Sequence, residues 1–308
     1  MNRRRLLIQT GLTLFFTAGL TGLIVYRWGD VSAGLSQISL LTLSGLVLLQ
    51  LASYLVRVHA WQLSLRVGAA PVEAGPLHLA SGAAFLVNTF APVYLGQVLR
   101  IFILRHWSRQ PPSVAQMAVA DFASLFIEAG IVLLILVVSI SLLPFAIWPL
   151  LITATVVGLG MIVIVKLRSN HQERSWVQAL NIFAERRKLA QFSGLLAFVV
   201  LVQPVRFWMT LQAIGDPQTI VKSALAFIGT SVSAVVPVGP AASSVGGISA
   251  ATGSGLTVAV TAGLILMASA AVAAGIYLII GGGASYLWRN RKQLPELEQE
   301  LARELGHK

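Results

Sequence analysis

Apolar residues form long runs along most of the 308-residue chain. Six of these runs approach or exceed the length of a membrane span, at residues 6–26, 40–56, 122–143, 145–165, 192–211 and 256–287. Because a helix of about 20 apolar residues crosses the hydrocarbon core of a bilayer, the pattern predicts an all-α polytopic membrane helical bundle with about six full spans. No polar stretch is long enough for a separate domain, so we interpret residues 1–308 as one integral membrane domain. The first run follows MNRRR, and we favour an uncleaved span over a signal peptide.

Two further apolar segments are interrupted near their middle. Residues 77–107 are broken at Pro92, and residues 223–255 at Pro237 and Pro240. Each arm has about 14 residues and extends about 21 Å, less than the core of about 30 Å. We therefore predict two re-entrant helical hairpins, although two full helices or one long kinked helix per segment remain alternatives. Non-helical backbone inside a membrane survives only within protein or beside a wet cavity, so both breaks predict a cavity.

Charge distribution predicts the orientation of the chain. The chain is 56% hydrophobic and only 11% charged, with a net charge of +11. Basic residues cluster at 3–5, 100–109, 166–168 and 289–292, which are alternate ends of the predicted spans. The positive-inside rule assigns such clusters to the cytoplasm, so we expect cytoplasmic N- and C-termini and no nucleic-acid partner.

The two halves of the chain show a weak sequence repeat. An Arg, a Trp and a Pro follow one another in both halves: Arg57, Trp61 and Pro71 in the first, Arg206, Trp208 and Pro217 in the second. The first copy is predicted to run inward and the second outward. We therefore predict an inverted-topology repeat, with repeat one at about 40–143 and repeat two at about 191–289. Such repeats are common in transporters, whose binding site lies near the midplane at broken helices.

Five charged residues fall within apolar surroundings. Arg57, Arg100 and Arg206 are candidates to face a cavity, because an arginine at the centre of a span costs about 2.5–3.5 kcal/mol on insertion scales. The alternative for Arg57 and Arg206 is that the side chain reaches the headgroup region. The alternative for Arg100 is an interfacial residue that belongs to the positive-inside pattern. Asp121 and Glu128 are seven residues apart and share a helix face. Glu128 is expected to be protonated or paired with an arginine.

Residues 171–190 combine apolar and basic positions. Trp176, Ala179, Leu180 and Phe183 recur at helical spacing, and a basic cluster follows at residues 186–188. This pattern predicts a cytoplasmic amphipathic helix at the membrane surface. The alternative is an ordinary basic loop.

Enzyme signatures are missing from the sequence. It contains no cysteine, its five histidines are scattered, and it has no phosphate-binding loop or nucleophile elbow. We therefore predict that the protein is not an enzyme and uses no cofactor or metal.

Two short motifs carry a resemblance to a known family. NTFAPVYLGQVLR at residues 88–100 and SVSAVVPVG at 231–239, followed by Gly246 and Gly247, resemble segments of the membrane domain of lysylphosphatidylglycerol synthase/flippase proteins and their stand-alone bacterial relatives. The resemblance covers roughly residues 40–290. It departs from the family's pattern at Gln97, where the family carries Glu, near Asp121, where the usual Glu-Arg is missing, and in the second motif, which lacks its acid. The soluble aminoacyltransferase domain of the two-domain members is also missing, so lipid aminoacylation is not expected.

The resemblance implies movement or handling of a lipid across the bacterial cytoplasmic (inner) membrane. The candidate substrate-binding residues are Arg57, Asn88, Thr89, Gln97, Arg100, Glu128, Arg206 and Ser233, and the candidate turn residues are Pro92, Gly96, Pro237 and Gly239. Arginine suits a phosphate because its planar donors bind it bidentately. The expected partners are membrane lipids with a phosphate-bearing headgroup, together with a homo-oligomer or a biosynthetic partner.

Three functions remain open at this stage. The first is a flippase-like transporter for an anionic or lipid-linked headgroup. The second is a non-catalytic membrane subunit of an envelope-lipid or glycan pathway. The third is a membrane enzyme that acts on a polyprenyl-phosphate-linked substrate, for which only Glu128 and Asp121 are candidate reactive groups.

Overall fold

The computed structural model of the protein describes residues 28–68, 72–91, 93–108, 110–140, 147–170, 177–233 and 240–284. These residues form helices and no strands, which confirms the predicted all-α class. The ten α-helices are α1 (Trp28–Ser36), α2 (Leu40–Val67), α3 (Ala74–Phe90), α4 (Val93–Trp107), α5 (Val114–Ile140), α6 (Ile147–Asn170), α7 (Arg186–Ala213), α8 (Ile220–Ser233), α9 (Pro240–Thr252) and α10 (Leu256–Tyr277). A 3₁₀-helix, Val177–Phe183, precedes α7, and a π-helix, Leu278–Ala284, continues α10.

Four of the described helices are long and apolar enough to cross a membrane. They cover Leu40–Val67, Val114–Val138, Arg186–Ala213 and Leu256–Gly282. Their outward surfaces carry exposed aliphatic side chains such as Leu48, Leu134 and Leu201, as expected for contact with lipid tails. Of the other two predicted spans, residues 6–26 lie outside the described part, and α6 has a shorter apolar stretch, Thr153–Lys166.

Local hydrogen bonds define where the long helices begin and end. Ser39 precedes α2 and accepts a hydrogen bond from the amide of Thr42. At the start of α5, the Ser113 hydroxyl accepts from the Gln116 amide, and the Gln116 side chain accepts from the Ser113 amide. This reciprocal capping box satisfies two donors that would otherwise lack helical partners. The helix therefore starts where the sequence changes from Pro-Pro-Ser to an apolar run.

Two pairs of short helices separate the long ones. α3 and α4 have 17 and 15 residues, and α8 and α9 have 14 and 13. At 1.5 Å per residue, these helices extend only about 20–26 Å. The predicted turn residues Pro92, Pro237 and Gly239 lie outside the described residues. Gly96 was wrongly predicted as a turn residue, because it lies within α4. Pro240, in contrast, is the first residue of α9, where proline's fixed φ suits a helix start.

Each short pair is held together at one glycine. A Cβ added to Gly96 on α4 would lie 2.6 Å from the Ala84 carbonyl oxygen and would overlap the Asn88 side chain on α3. A Cβ added to Gly247 on α9 would lie 2.6 Å from the Ala226 carbonyl oxygen and would overlap the Thr230 backbone on α8. In both pairs, only a glycine lets the two backbones approach this closely.

The long helices pack around a common centre. α2 lies along α7, and α10 contacts both of them, while α5 also contacts both. The largest core cluster contains stacked Tyr54 and Phe85 rings, with centroids 4.1 Å apart, and Tyr277 against them edge-on. The same cluster also includes Leu104 of α4 and Met117 and Ala120 of α5. The first short pair contacts the rest of the bundle mainly through α3, which packs on α10 and its π-helical continuation.

The segment predicted as one amphipathic helix, 171–190, has a different structure. Residues 177–183 form a 3₁₀-helix, α7 begins at Arg186, and residues 171–176 lie outside the described part. Leu180 packs with Ile164 of α6, whereas Ile182 packs with Ala60 and Phe192. The segment lies between neighbouring helices and buries side chains on two sides. The prediction of one continuous helix with a single apolar face was therefore wrong.

Candidate functional site

A cavity of about 680 Å³ opens between the long helices and the two short pairs. Its walls come from α2, α3, α4, α5, α7, α8, α9 and α10. Aromatic and aliphatic side chains alternate there with arginines, carboxylates, amides and hydroxyls. A polar cavity inside a bundle with an apolar exterior is the setting expected for a binding site.

One face of α2 supplies the first wall. Gln50, Tyr54, Arg57 and Trp61 all line the cavity. Their spacing of three or four residues places them in one stripe along the helix. The sequence thus directs a polar stripe toward the interior of an otherwise apolar span.

Arg57 and Glu128 form an ion pair across the cavity wall. The Arg57 guanidinium donates to Glu128 of α5 at 3.0 Å, and a second nitrogen–oxygen distance is 2.9 Å. The Glu128 side chain is 18% exposed and that of Arg57 is 40% exposed. The intramembrane carboxylate therefore has a fixed counterion, as predicted for the paired alternative.

Arg100 forms the second ion pair. Its guanidinium donates to the Asp121 carboxylate of α5 and to the Gln97 side-chain oxygen one turn earlier on α4. It also lies 3.9 Å from the centroid of the Trp61 ring, an arrangement that adds cation–π attraction. Arg100 is buried, so its side chain lies inside the bundle and does not extend to the protein exterior.

Arg206 is buried without a carboxylate partner among the described residues. Its guanidinium donates to the side-chain oxygens of Gln50 and Gln203, to the Leu266 carbonyl at 3.2 Å and to the Ser269 hydroxyl at 2.9 Å. All four acceptors are neutral. The arginine is 4% exposed, so the alternative of a side chain reaching the headgroups is wrong for this residue.

Most of the other predicted site residues also lie at the cavity. Asn88, Thr89 and Gln97 line it. The Thr89 hydroxyl donates to the Phe85 carbonyl of its own helix, whereas the buried Asn88 oxygen has no hydrogen-bond partner among the described residues. Ser233 is the last residue of α8, and its side chain is outside the described part.

Sequence reasoning did not select several residues of the site. Gln50, Gln203 and Ser269 surround Arg206, and Trp61 contacts Arg100. Asp121, which was considered only as a reactive group for the enzyme alternative, pairs with Arg100. A signal was available in the helical spacing. Gln50 precedes Arg57 by seven residues and Gln203 precedes Arg206 by three, so each polar residue shares a face with an arginine in an apolar run. In the described residues, no three His, Cys, Asp or Glu side chains are grouped as a metal site would need.

Comparison with known families identifies the chain. The family model described as the lysylphosphatidylglycerol synthase transmembrane region matches residues 8–284. The chain belongs to this family. The match confirms the resemblance predicted from the two short motifs and extends it toward the N-terminus. No curated protein and no solved structure matches the chain. Membership in the lysylphosphatidylglycerol synthase transmembrane family supports a multi-pass membrane protein with a lipid-related function.

Proposed function

We propose that the protein is a flippase-like membrane protein that moves a lipid with an anionic or lipid-linked headgroup across the bilayer, and that it is not an enzyme. The observation that carries the proposal is the cavity of about 680 Å³, at which three arginines from three different helices converge. Its volume falls within the range of about 300–1,000 Å³ typical of small-molecule sites. A phospholipid headgroup is small enough to enter such a cavity, while its acyl chains can remain in the surrounding lipid.

The arrangement of the helices supports an inverted repeat as the basis of this movement. The helices α2, α3, α4 and α5 have 28, 17, 15 and 27 residues, and α7, α8, α9 and α10 have 28, 14, 13 and 22 in the same order. Each half contains a short pair with a tight glycine contact. We propose six full spans and two opposed re-entrant hairpins in the bacterial cytoplasmic membrane, with both termini cytoplasmic.

The opposed hairpins would provide access to the cavity from the two leaflets in turn. Residues from both short pairs line it, including Gln97 of α4 and Thr230 of α8. In transporters built from inverted repeats, one repeat rocks against the other around a fixed central site. A headgroup bound between the two pairs would then face first one side of the membrane and then the other.

The pairing of the two carboxylates supports a transport role over catalysis. Glu128 is bound to Arg57, and Asp121 is bound to Arg100. A general base needs an available lone pair near the reacting group, and each of these carboxylates is already engaged by an arginine. The open cavity between the short pairs also favours a transporter over a non-catalytic subunit with a solid interface.

A lipid-scrambling assay tests the proposal. The purified full chain is reconstituted into phosphatidylcholine vesicles with a tail-labelled fluorescent phosphatidylglycerol, and movement is measured by quenching of the outer leaflet. We expect movement by the wild type, its loss in Arg100→Ala and Arg206→Ala, and its retention in Arg105→Ala, which removes an exposed arginine of α4. Folded wild-type protein that moves no lipid would refute the transport function.

A further inference from the structure

The charged side chains that line the cavity do not balance. Three arginines, Arg57, Arg100 and Arg206, face only two carboxylates, Asp121 and Glu128, and the described lining contains no lysine or histidine. The segments that connect α3 to α4 and α8 to α9, residues 91–92 and 234–239, contain no charged residue. The described lining of the cavity therefore carries a charge of +1 when all five groups are ionised.

The excess positive charge is located at Arg206. The two carboxylates are committed to Arg57 and Arg100, and all the acceptors around Arg206 are neutral amide, hydroxyl or carbonyl oxygens. Neutral dipoles solvate a guanidinium but do not cancel its charge, and an uncompensated charge in a low-dielectric interior is costly. The buried Nε of Arg206 also has no hydrogen-bond partner among the described residues.

We propose that the cavity selects a lipid whose headgroup is a phosphodiester with a net charge of −1, and that Arg206 is the residue whose charge this phosphate balances. This inference rests on the proposed lipid-binding function and specifies its substrate class. A phosphodiester carries one negative charge, which matches the excess of one. A zwitterionic headgroup would place an ammonium group among the arginines. The two carboxylates that could neutralise this group are already paired. A cationic aminoacylated headgroup adds further positive charge to a cavity that is already positive.

The first experiment compares three tail-labelled lipids in proteoliposomes of phosphatidylcholine. Phosphatidylglycerol has a net charge of −1, phosphatidylethanolamine is zwitterionic, and lysyl-phosphatidylglycerol has a net charge of +1. We expect the initial rate of movement to decrease in that order, with a difference on the order of tenfold between the first and the last. Equal rates, or the reverse order, would overturn the proposed class. Excess soluble glycerophosphoglycerol, which lacks acyl chains, should compete only weakly, and complete competition would instead indicate a site for water-soluble phosphodiesters.

Variants that change charge but hardly change side-chain shape test whether the charge of the cavity sets the preference for phosphatidylglycerol. Gln97→Glu lowers the charge of the described lining to 0 and should abolish the preference for phosphatidylglycerol over phosphatidylethanolamine. Glu128→Gln raises the charge to +2 and should increase discrimination against lysyl-phosphatidylglycerol. Arg66→Gln removes an exposed arginine outside the cavity and should preserve the wild-type order. The two folded variants, Gln97→Glu and Glu128→Gln, should shift the relative rates of the three lipids in opposite directions. A shift in the same direction, or no shift, would refute the electrostatic basis of lipid selectivity.

A binding measurement separates this inference from the transport function. The purified protein is exposed to the same three lipids, and native mass spectrometry identifies by mass which of them remains bound. Selective retention of phosphatidylglycerol without movement would support the substrate class and refute transport. Equal movement of all three lipids would support transport and refute the class. Neither binding nor movement would refute both.

Discussion

The adjacent glycines Gly246 and Gly247 of α9 offer a direct test of how closely the second short pair packs. The perturbation is the same in both cases, substitution by alanine within one helix. A Cβ at Gly246 would meet nothing within 4 Å, whereas a Cβ at Gly247 would lie 2.6 Å from the Ala226 carbonyl oxygen and against the Thr230 amide. The opposing atoms belong to the α8 backbone, so no side-chain rotation can relieve the overlap.

The expected change in the free energy of unfolding has two contributions. Replacing glycine by alanine in a helix interior contributes about 1 kcal/mol of helix propensity, and this gain is common to both variants. Ordinary van der Waals contact begins at 3.4 Å, so Gly247→Ala would push α9 roughly 1 Å away from α8, and such a gap forfeits a quarter to a half of the dispersion at the interface. Overpacking of this kind costs about 1–3 kcal/mol. The difference between the two variants isolates this steric cost, because their propensity gains cancel.

The assay is equilibrium unfolding of both variants in mixed micelles titrated with sodium dodecyl sulfate. We expect Gly246→Ala to unfold at or above the wild-type midpoint and Gly247→Ala to be less stable than Gly246→Ala by about 1–3 kcal/mol. Circular dichroism before titration can check that each variant keeps the wild-type helix content. Equal free energies of unfolding for the two variants would refute the close approach of α8 and α9.

Three further predictions concern the first half of the chain. Gly96→Ala should destabilise the protein by about 1–3 kcal/mol in the same titration, and adding Asn88→Ala should restore only part of that loss, since the overlap with the α3 carbonyl remains; full restoration would contradict the backbone contact. A double-mutant cycle of Arg57→Gln and Glu128→Gln should give a coupling energy of about 1 kcal/mol, reduced by the exposure of the arginine, and additive effects would show that the pair is not formed. Ser113→Ala should cost about 1 kcal/mol and increase hydrogen exchange in the first turn of α5, whereas unchanged exchange there would argue against the capping box.

Much of the architecture could be predicted from local patterns. The long apolar runs indicated the four helices that are long and apolar enough to cross a membrane, and the prolines inside apolar segments indicated the two short pairs. Seven of the eight candidate site residues lie at the cavity, because an arginine, amide or carboxylate inside an apolar run avoids lipid and turns to the interior. The same argument identified Glu128 as a residue in need of a partner.

Other features depended on which helices become neighbours. The segment 171–190 was predicted to have one apolar face. Its residues 177–183 are instead buried on two sides, because α6 lies on one side and α2 and α7 lie on the other. Likewise, Asp121 and Gln50 gained their importance only when α4 and α7 brought Arg100 and Arg206 against them. Periodicity within one helix contains no information on the identity of such a partner.

The sequence by itself therefore determined the helical class, the spanning runs, the breaks and the polar faces, since these follow from hydrophobicity, proline geometry and helical period. Only the tertiary structure decided the pairing of Glu128 with Arg57 and of Asp121 with Arg100. That assignment left Arg206 among neutral partners and gave the cavity its unbalanced charge. The physical reason is that an ion pair depends on distances of a few ångströms between residues far apart in the chain, and helix packing alone sets those distances.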